Sequence, residues 1–486
     1  MASCRRTKIV CTIGPACEDV DTLYRMVLAG MDVARFNFSH GTHEEHGRRI
    51  DAVRRASAKA KKRVGIMLDT RGPEVRLGAF EGGKAFLEKG QSFVLTSEDV
   101  PGNSHICHVS LPDFARLVAP GSTIFLDDGN ITLLVTAVSG QEVATKVLNS
   151  GPVSDRKRVA VPGAPLDLPI ADKGDIADLR FGAEAGVDFV AASFVRSASD
   201  VEEIRRILRE AGSRAKIIAK IESVRGVENL GEILEAADGL MVARGDLGVE
   251  FPPEEIPLLQ KRMIASAMRL GKPVVTATQM LESMVEHPRP TRAEASDVAN
   301  AIFDGTDAIM LSAETASGKY PVEAVEFMAR IAARAEAGLD RSAFQKLFTK
   351  EGKVSSVTEA VSRAVLDAAD DLGASAILTP TESGYTARMV ARFRPRMPVC
   401  ATTPHEETAG WLTLVWGVQT LVVPALQVDG GGPCPDVSEA SLEAVRAAGL
   451  VKDGDLCVIT KGVPAGVSGT TNVMEVRTVG VSGDSV

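Results

Sequence analysis

Glu222 and Asp246 each follow a short apolar run, Lys216–Ile221 and Gly239–Val242, and neither has a histidine or cysteine nearby. Two hard oxygen ligands of this kind can reach one divalent ion and favour Mg²⁺ or Mn²⁺ over zinc. Such an ion keeps coordination positions for water and phosphate oxygens, and Arg35, Arg76 and Lys220 supply the cations that phosphate chemistry requires. In an extended run Lys220 and Glu222 point to the same face, with Ile221 between them. A buried ion pair adds little net stability, so a lysine beside a glutamate on an inward face argues for a site. Other phosphate-binding devices are missing from the sequence. None of the four Gly-Lys pairs precedes Ser or Thr, no GxGxxG occurs, and His43-Glu-Glu-His46 has the wrong spacing for a zinc helix. That His/Glu stretch reads as an exposed helix start.

Elements must bring these groups together. Eight β-branched apolar runs alternate with helical patterns: Lys8–Ile13, Met31–Phe36, Arg63–Leu68, Asp188–Ala192, Lys216–Ile221, Gly239–Val242, Lys272–Ala277 and Asp307–Leu311. Alternation of this kind makes βαβ units and a parallel sheet. Eight units over ~250 residues predict a closed (β/α)8 TIM barrel. An open doubly wound sheet is the alternative that strand count alone leaves standing. In a barrel the carboxyl ends of the strands carry the chemistry, and here all eight ends are polar. They read Thr12-Ile-Gly-Pro15, Arg35-Phe-Asn37, Asp69-Thr70-Arg71, Ser193-Phe-Val-Arg196, Lys220-Ile-Glu222, Ala243-Arg-Gly-Asp246, Thr276-Ala-Thr278 and Ser312-Ala-Glu314. One such end would read as a solvated loop or a helix cap; eight converging on one rim would not.

The alternation breaks between about Arg76 and Leu168. Turn pairs such as Gly82-Gly83, Pro101-Gly102 and Asp128-Gly129 separate short strand-like runs there, which predicts an inserted small β domain placed to act as a lid. After about Leu339 a further α/β unit follows. The expected division is therefore 1–75 with 169–339 as barrel, 76–168 as lid and 340–486 as a C-terminal α/β domain. The Asp429–Pro435 glycine stretch reads as a loop within that last unit. Trp411 and Trp416 read as packing residues.

Composition narrows the class. The net charge of −9 without a concentrated basic block disfavours nucleic-acid binding. Seven scattered cysteines, never spaced as CxxC, argue for free thiols in a reducing compartment. No apolar run approaches bilayer length and Met1–Lys8 lacks a secretory pattern, so no membrane association is expected and the expected location is cytoplasmic.

The motifs Lys8-Ile-Val-Cys-Thr-Ile-Gly-Pro15, Ala34-Arg-Phe-Asn-Phe-Ser-His-Gly41, Ile218-Ala-Lys-Ile-Glu222, Met241-Val-Ala-Arg-Gly-Asp-Leu-Gly-Val-Glu250 and Ala277-Thr-Gln-Met-Leu-Glu-Ser-Met284 resemble the pyruvate kinase family. So does Pro290-Thr-Arg-Ala-Glu-Ala-Ser-Asp-Val-Ala-Asn-Ala301. The resemblance runs over essentially the whole chain. It implies phosphoryl transfer from phosphoenolpyruvate to ADP, giving pyruvate and ATP at the end of glycolysis. It further implies Mg²⁺ (or Mn²⁺) on Glu222 and Asp246, and Arg35 and Lys220 on the phosphoryl oxygens. Thr278 would lie on the protonation face of the enolate, within a relay, because a lone threonine hydroxyl is too weak an acid. The backbone at Gly245 and Asp246 would hold the substrate carboxylate. Asn37, Ser39, Asp69 and Thr70 would hold K⁺, and Glu74 matches the K⁺-dependent members, whereas independent members carry lysine there. His40, Arg76 and Lys157 match positions that approach the nucleotide.

Two departures stand beside Lys157. Where the family usually reads Lys-Gly-Val-Asn-Leu-Pro-Gly, this chain has Lys157-Arg-Val-Ala-Val-Pro-Gly163, with Arg158 and Ala160 in place of Gly and Asn. Thr381, Glu382, Ser383, Gly384 and Thr386 resemble a loop that in relatives binds a phosphorylated effector, and Lys461–Asn472 resembles the facing loop. A capped helix start is the other reading of the first segment. A homotetramer is implied by the resemblance alone. Two competitors fare worse: a phosphohistidine transfer enzyme would need a swivelling histidine domain, and a dead paralogue would show erosion at Lys220, Glu222, Asp246, Arg35 or Thr278, which are all present.

Overall fold

A computed structural model describes residues 5–164, 168–341, 344, 348, 356–426, 436–463 and 471–481. The Asp429–Pro435 loop and the middle of Lys461–Asn472 lie outside the described residues. The chain opens with β1 (Lys8–Thr12), β2 (Val33–Asn37) and β3 (Gly65–Asp69), and helices Val20–Ala29 and His43–Ala60 lie between them. The insert follows as nine short strands: β4 (Val75–Arg76), β5 (Lys84–Leu87), β6 (Ser92–Thr96), β7 (Ile106–His108), β8 (Thr123–Leu126), β9 (Ile131–Ser139), β10 (Glu142–Val147), β11 (Gly151–Ser154) and β12 (Arg158–Ala160). Alternation resumes with β13 (Phe189–Ala192), β14 (Lys216–Ile221), β15 (Gly239–Ala243), β16 (Val274–Ala277) and β17 (Ala308–Leu311).

The eight expected runs close on themselves in the order β1-β17-β16-β15-β14-β13-β3-β2, all parallel, so the open-sheet alternative falls. Inside the closed sheet Val10, Val33, Met67, Phe189, Ile218, Met241, Val275 and Ala308 make an apolar filling. Strand residues two apart share a face. Two positions onward from Val33, Met67 and Ile218 stand Arg35, Asp69 and Lys220, so the same inward face that is apolar below becomes charged at its tip. Trp411 and Leu414 from the C-terminal domain join the lower apolar cluster, and Trp416 is fully buried, as expected of packing residues.

Asp32 anchors the opposite end. Its carboxylate accepts from the Ile9 N–H at 2.9 Å and pairs with Arg5 at 2.7 Å and Lys62 at 3.0 Å. Burial alone would raise its pKa, but Arg5 and Lys62 outweigh burial and hold the carboxyl well below the usual carboxylate range. A depressed acid contributes stability that is present above its unfolded value, ~3.9, and is lost as pH falls below it. Asp32→Asn should therefore cost about 3 kcal/mol at neutral pH in chemical denaturation, with the gap to wild type closing in acid. An equal midpoint at pH 7 would contradict this.

The insert forms a sheet in the order β4-β12-β8-β9-β10-β6-β7 and a separate β11-β5 pair around its own apolar core. Its ladder begins at Val75, one residue before the expected start. The C-terminal sheet runs β20 (Val418–Val422), β19 (Val399–Thr403), β18 (Ala376–Pro380), β21 (Leu456–Lys461) and β22 (Val473–Thr478). The first four are parallel as expected, while β22 is an antiparallel edge that the sequence reading did not contain. Among the described residues no helix is long and apolar enough to cross a membrane, and the described cysteines 11, 17, 107, 400 and 457 are buried thiols that form no disulfide.

Candidate active site

Four neighbouring strand tips build a buried charge cluster. Arg35 at the end of β2 places its Nε 2.6 Å from Asp69 Oδ2, and its Nη1 donates to Thr12 Oγ1 at 2.9 Å. Lys220 on β14 donates to Asp69 Oδ1 at 3.0 Å and to Ser193 Oγ at 2.7 Å, and lies 3.0 Å from Glu222 Oε1. Burial works against the Lys220 ammonium, but Asp69 and Glu222 outweigh it and push its pKa above the ordinary value. The lysine is therefore held charged through the physiological range, as a fixed cation and not as a base.

Glu222 directly follows β14, and Asp246 lies in the first turn of helix Arg244–Glu250, which follows the neighbouring β15; the two carboxylates are close enough to repel each other. Glu222 is buried, and burial raises its pKa; the nearby Asp246 charge adds to the rise and Lys220 opposes it. Two crowded carboxylates, one reluctant to ionise, are what a divalent cation would relieve. Among the described residues no third His, Cys, Asp or Glu joins them into a closed cage. The donor set therefore fits an open Mg²⁺ or Mn²⁺ site completed by water and substrate oxygens.

Phe194 bridges this pair. It adopts φ +55°, a conformation non-glycine residues rarely take, and its N–H donates to Glu222 Oε2 at 2.6 Å. Its ring underlies the Arg158 guanidinium at 4.7 Å. Arg158 reaches from β12 of the insert and pairs with Asp246. Between insert and barrel lies a narrow cleft whose walls include Glu74, Arg158, Phe194, Arg196, Ser223 and Glu250.

Thr278 follows β16 at φ +70°, and Gln279 follows at φ +54°. The Thr278 hydroxyl donates to Ala277 O at 2.6 Å and accepts from the Gly245 N–H at 2.8 Å. Arg244 secures this turn, donating to Thr278 O at 2.6 Å while pairing with Asp297 at 2.6 Å. Such strained turns persist where surrounding bonds over-determine them. On the other side, Asn37 stands beside Asp69 in register. Asn37 Oδ1 accepts from the Ser39 N–H at 3.2 Å, and Thr70 Oγ1 accepts from the Ser193 N–H at 3.1 Å. These donors are all oxygen and include one full charge, a set that suits a hard monovalent cation.

Family comparison agrees with this geometry. Residues 4–325 match the model for the pyruvate kinase barrel domain, and residues 359–477 match that for the pyruvate kinase alpha/beta domain. The chain belongs to the pyruvate kinase family. It is 51% identical over 478 residues to a pyruvate kinase of Geobacillus stearothermophilus, covering 98% of this chain and 80% of the relative. It is 50% identical over 483 residues to that of Sporosarcina psychrophila, covering 98% and 81%. A crystal structure of a pyruvate kinase from Cryptosporidium parvum superposes with a TM-score of 0.91 at 39% identity, covering 98% of this chain and 96% of the other.

Not every family position expected at the site joins the cluster. Arg76 pairs with Glu74 and donates to Arg156 O at 2.9 Å, while Lys157 pairs with Asp127 at 2.7 Å within the insert; neither bonds to the barrel-tip groups. The His40 side chain is exposed, and its carbonyl accepts from His46 Nε2 at 2.8 Å. The expected exposed start at His43–His46 is corrected. The helix does begin there, capped by Thr42, but His46 is buried and stacked on Phe38 at 4.1 Å. The eighth strand end is structural as well, because Glu314 is buried and accepts from the Leu281 and Ser312 N–H groups.

In the C-terminal domain Gly384 (φ +75°) donates to Thr381 Oγ1 at 3.0 Å and opens helix Tyr385–Ala391. Thr386 meets Thr471 of the facing segment at 2.9 Å, and Glu382 turns to His405 at 2.6 Å. Ser383 sits in the same turn. The sequence reading assigned no role to Ser193, Phe194 or Arg244. Ser193 and Arg244 stood at recognised strand ends. For Phe194 no local signal existed, because its role comes from its backbone N–H and an unusual φ.

Proposed function

We propose that this chain transfers the phosphoryl group of phosphoenolpyruvate to ADP, with Mg²⁺ (or Mn²⁺) and K⁺ as cofactors. The observation that carries the reading is the buried meeting of Lys220, Arg35 and Asp69 with the Glu222–Asp246 pair. In the reaction the P–O bond to the enol oxygen breaks, a new one forms to the ADP terminal oxygen, and the enolate carbon takes a proton. Arg35 and Lys220 are fixed cations in a dry site, where charge on the moving phosphoryl and the enolate is stabilised without reorganisation. A divalent ion on Glu222 and Asp246 would supply further charge neutralisation when bound. Thr278 is tied to Gly245, so the substrate carboxylate would compete with its hydroxyl for that N–H; the freed hydroxyl could then pass a proton within a relay. Asn37, Ser39, Asp69 and Thr70 would hold K⁺. His40, Arg76 and Lys157 would approach the nucleotide after lid movement.

Family membership supports the wider reading, and within it we divide the chain into barrel (1–75 and 169–339), lid (76–168) and C-terminal domain (340–486). On the same ground we assign a cytoplasmic homotetramer. The loop at Thr381, Glu382, Ser383, Gly384 and Thr386 would take a phosphorylated effector. The Glu382 charge argues for a sugar or nucleotide monophosphate over a bisphosphate. A coupled assay with phosphoenolpyruvate, ADP, Mg²⁺ and K⁺ tests the reaction, and no pyruvate should form when phosphoenolpyruvate, ADP or Mg²⁺ is left out. With Glu74 where K⁺-independent relatives carry lysine, omission of K⁺ should lower kcat by about 10-fold or more. Full turnover without K⁺, Na⁺ or NH₄⁺ would overturn that assignment.

A further inference from the structure

The lid reaches the barrel through an arginine that takes the position of a competitor. Arg158 lies on β12, the lid strand that pairs with β4 and β8, yet its guanidinium leaves the lid and pairs with Asp246 of the barrel. Only 11% of its side chain is exposed. Phe194 supports the guanidinium from below at 4.7 Å, and the same Phe194 donates its N–H to Glu222. Burial disfavours the charged guanidinium, but Asp246 foremost, then Glu74, Glu222 and Asp128, outweigh it and hold Arg158 protonated. A guanidinium is never deprotonated near neutral pH and binds carboxylate oxygens directionally. It is therefore a permanent cation at the carboxylate an ion would need.

We propose that Arg158 is an internal substitute for the divalent cation. In the ion-free protein it neutralises Asp246 and latches the lid over the cleft; an incoming ion must displace it, so ion binding and lid release are one event. Arg158 takes only Oδ1 of Asp246, so lone pairs remain and the competition is electrostatic: a permanent cation and a divalent ion held at one carboxylate repel each other. The latch also balances the cluster: Asp69, Glu222 and Asp246 face Arg35, Lys220 and Arg158, and Asp246, 29% exposed against 1% for the other two acids, is the carboxylate an incoming ion reaches first. Among the described residues two other bonds join lid and barrel: the Gly163 N–H to Glu250 at 3.3 Å, which is long, and Arg196 Nη2 to Leu168 O at 2.7 Å, which ties the hinge end of the lid and leaves its mouth to Arg158. The inference rests on the reading of Glu222 and Asp246 as the divalent site.

Calorimetric titration of Mn²⁺ into the full-length protein, without substrates, tests it. Arg158→Gln should bind Mn²⁺ about 10-fold more tightly than wild type, about 1.4 kcal/mol, because displacing a charge-assisted bond is no longer required. Arg158→Lys, which keeps charge but not the planar fork, should fall between them and guards against a folding defect in the first variant. Hydrogen exchange gives a readout independent of affinity: the amides of Val159, Ala160, Val161 and Gly163 should exchange faster in ion-free Arg158→Gln than in wild type, and addition of Mn²⁺ should speed them in wild type alone. Unchanged or weaker Mn²⁺ binding in Arg158→Gln would overturn the latch while leaving the metal site intact. If neither protein binds Mn²⁺, or if Asp246→Asn binds it as well as wild type, the metal reading fails and takes this inference with it.

Discussion

Lys220→Met should fold and lose phosphoryl transfer by about 10³-fold or more. A single neutral donor removed from a preorganised oxyanion site costs ~10²–10³ in kcat, and a full cation supplied to a transferring phosphoryl group is worth ~10³–10⁵. Lys220 is such a cation: buried, pushed by Asp69 and Glu222 to stay protonated, and bound to two strand tips besides its own. Methionine keeps the apolar stem that packs on β14 while removing the charge. Asp69 retains Arg35 at 2.6 Å and Ser193 Oγ at 3.4 Å, so its burial stays compensated and the fold should survive. The check pairs kcat in the coupled assay with a thermal melt. A folded variant within 10-fold of wild type would remove Lys220 from the mechanism.

Asp246→Asn should weaken Mn²⁺ binding about 100-fold and lower activity in step at subsaturating ion. A unit charge about 4 Å from another is worth about 4 kcal/mol at an effective dielectric of 20, and desolvation of the ion offsets part of this. Glu222→Gln should have a comparable effect with an additional signature. Burial and the Asp246 charge push the Glu222 carboxyl up from its ordinary value, so at lower pH the ion must displace a proton to bind. Wild-type affinity should therefore rise with pH through that displaced pKa, and Glu222→Gln should be weak with a flattened profile. Calorimetry at several pH values reads both. An Asp246→Asn protein that binds Mn²⁺ as wild type does would separate these carboxylates from any metal role.

The barrel was legible because a parallel strand buried on both faces must be a near-continuous apolar run, and eight such runs occur at helix-length intervals. The inward direction of Lys220 and Glu222 followed from strand parity, which two-residue spacing sets without knowledge of neighbours. The lid's longer strands were legible from their turns. β4, β5, β7, β11 and β12, at two to four residues each, were not, because so short a run carries little period. β22 alternates weakly and faces solvent on a sheet edge, where burial imposes little pattern.

Sequence by itself determined which groups can do the chemistry and, through long family motifs, what that chemistry is. Only the tertiary structure decided which of them touch. Arg158 and Asp246 are 88 positions apart and meet because the insert folds back over the barrel mouth. Ser193 joins Lys220 because β13 and β14 are neighbours in a closed ring, and His46 is buried because Phe38 lies beneath its helix. Periodicity along one element specifies a face; the partner across that face is set by packing between elements, which no local spacing encodes.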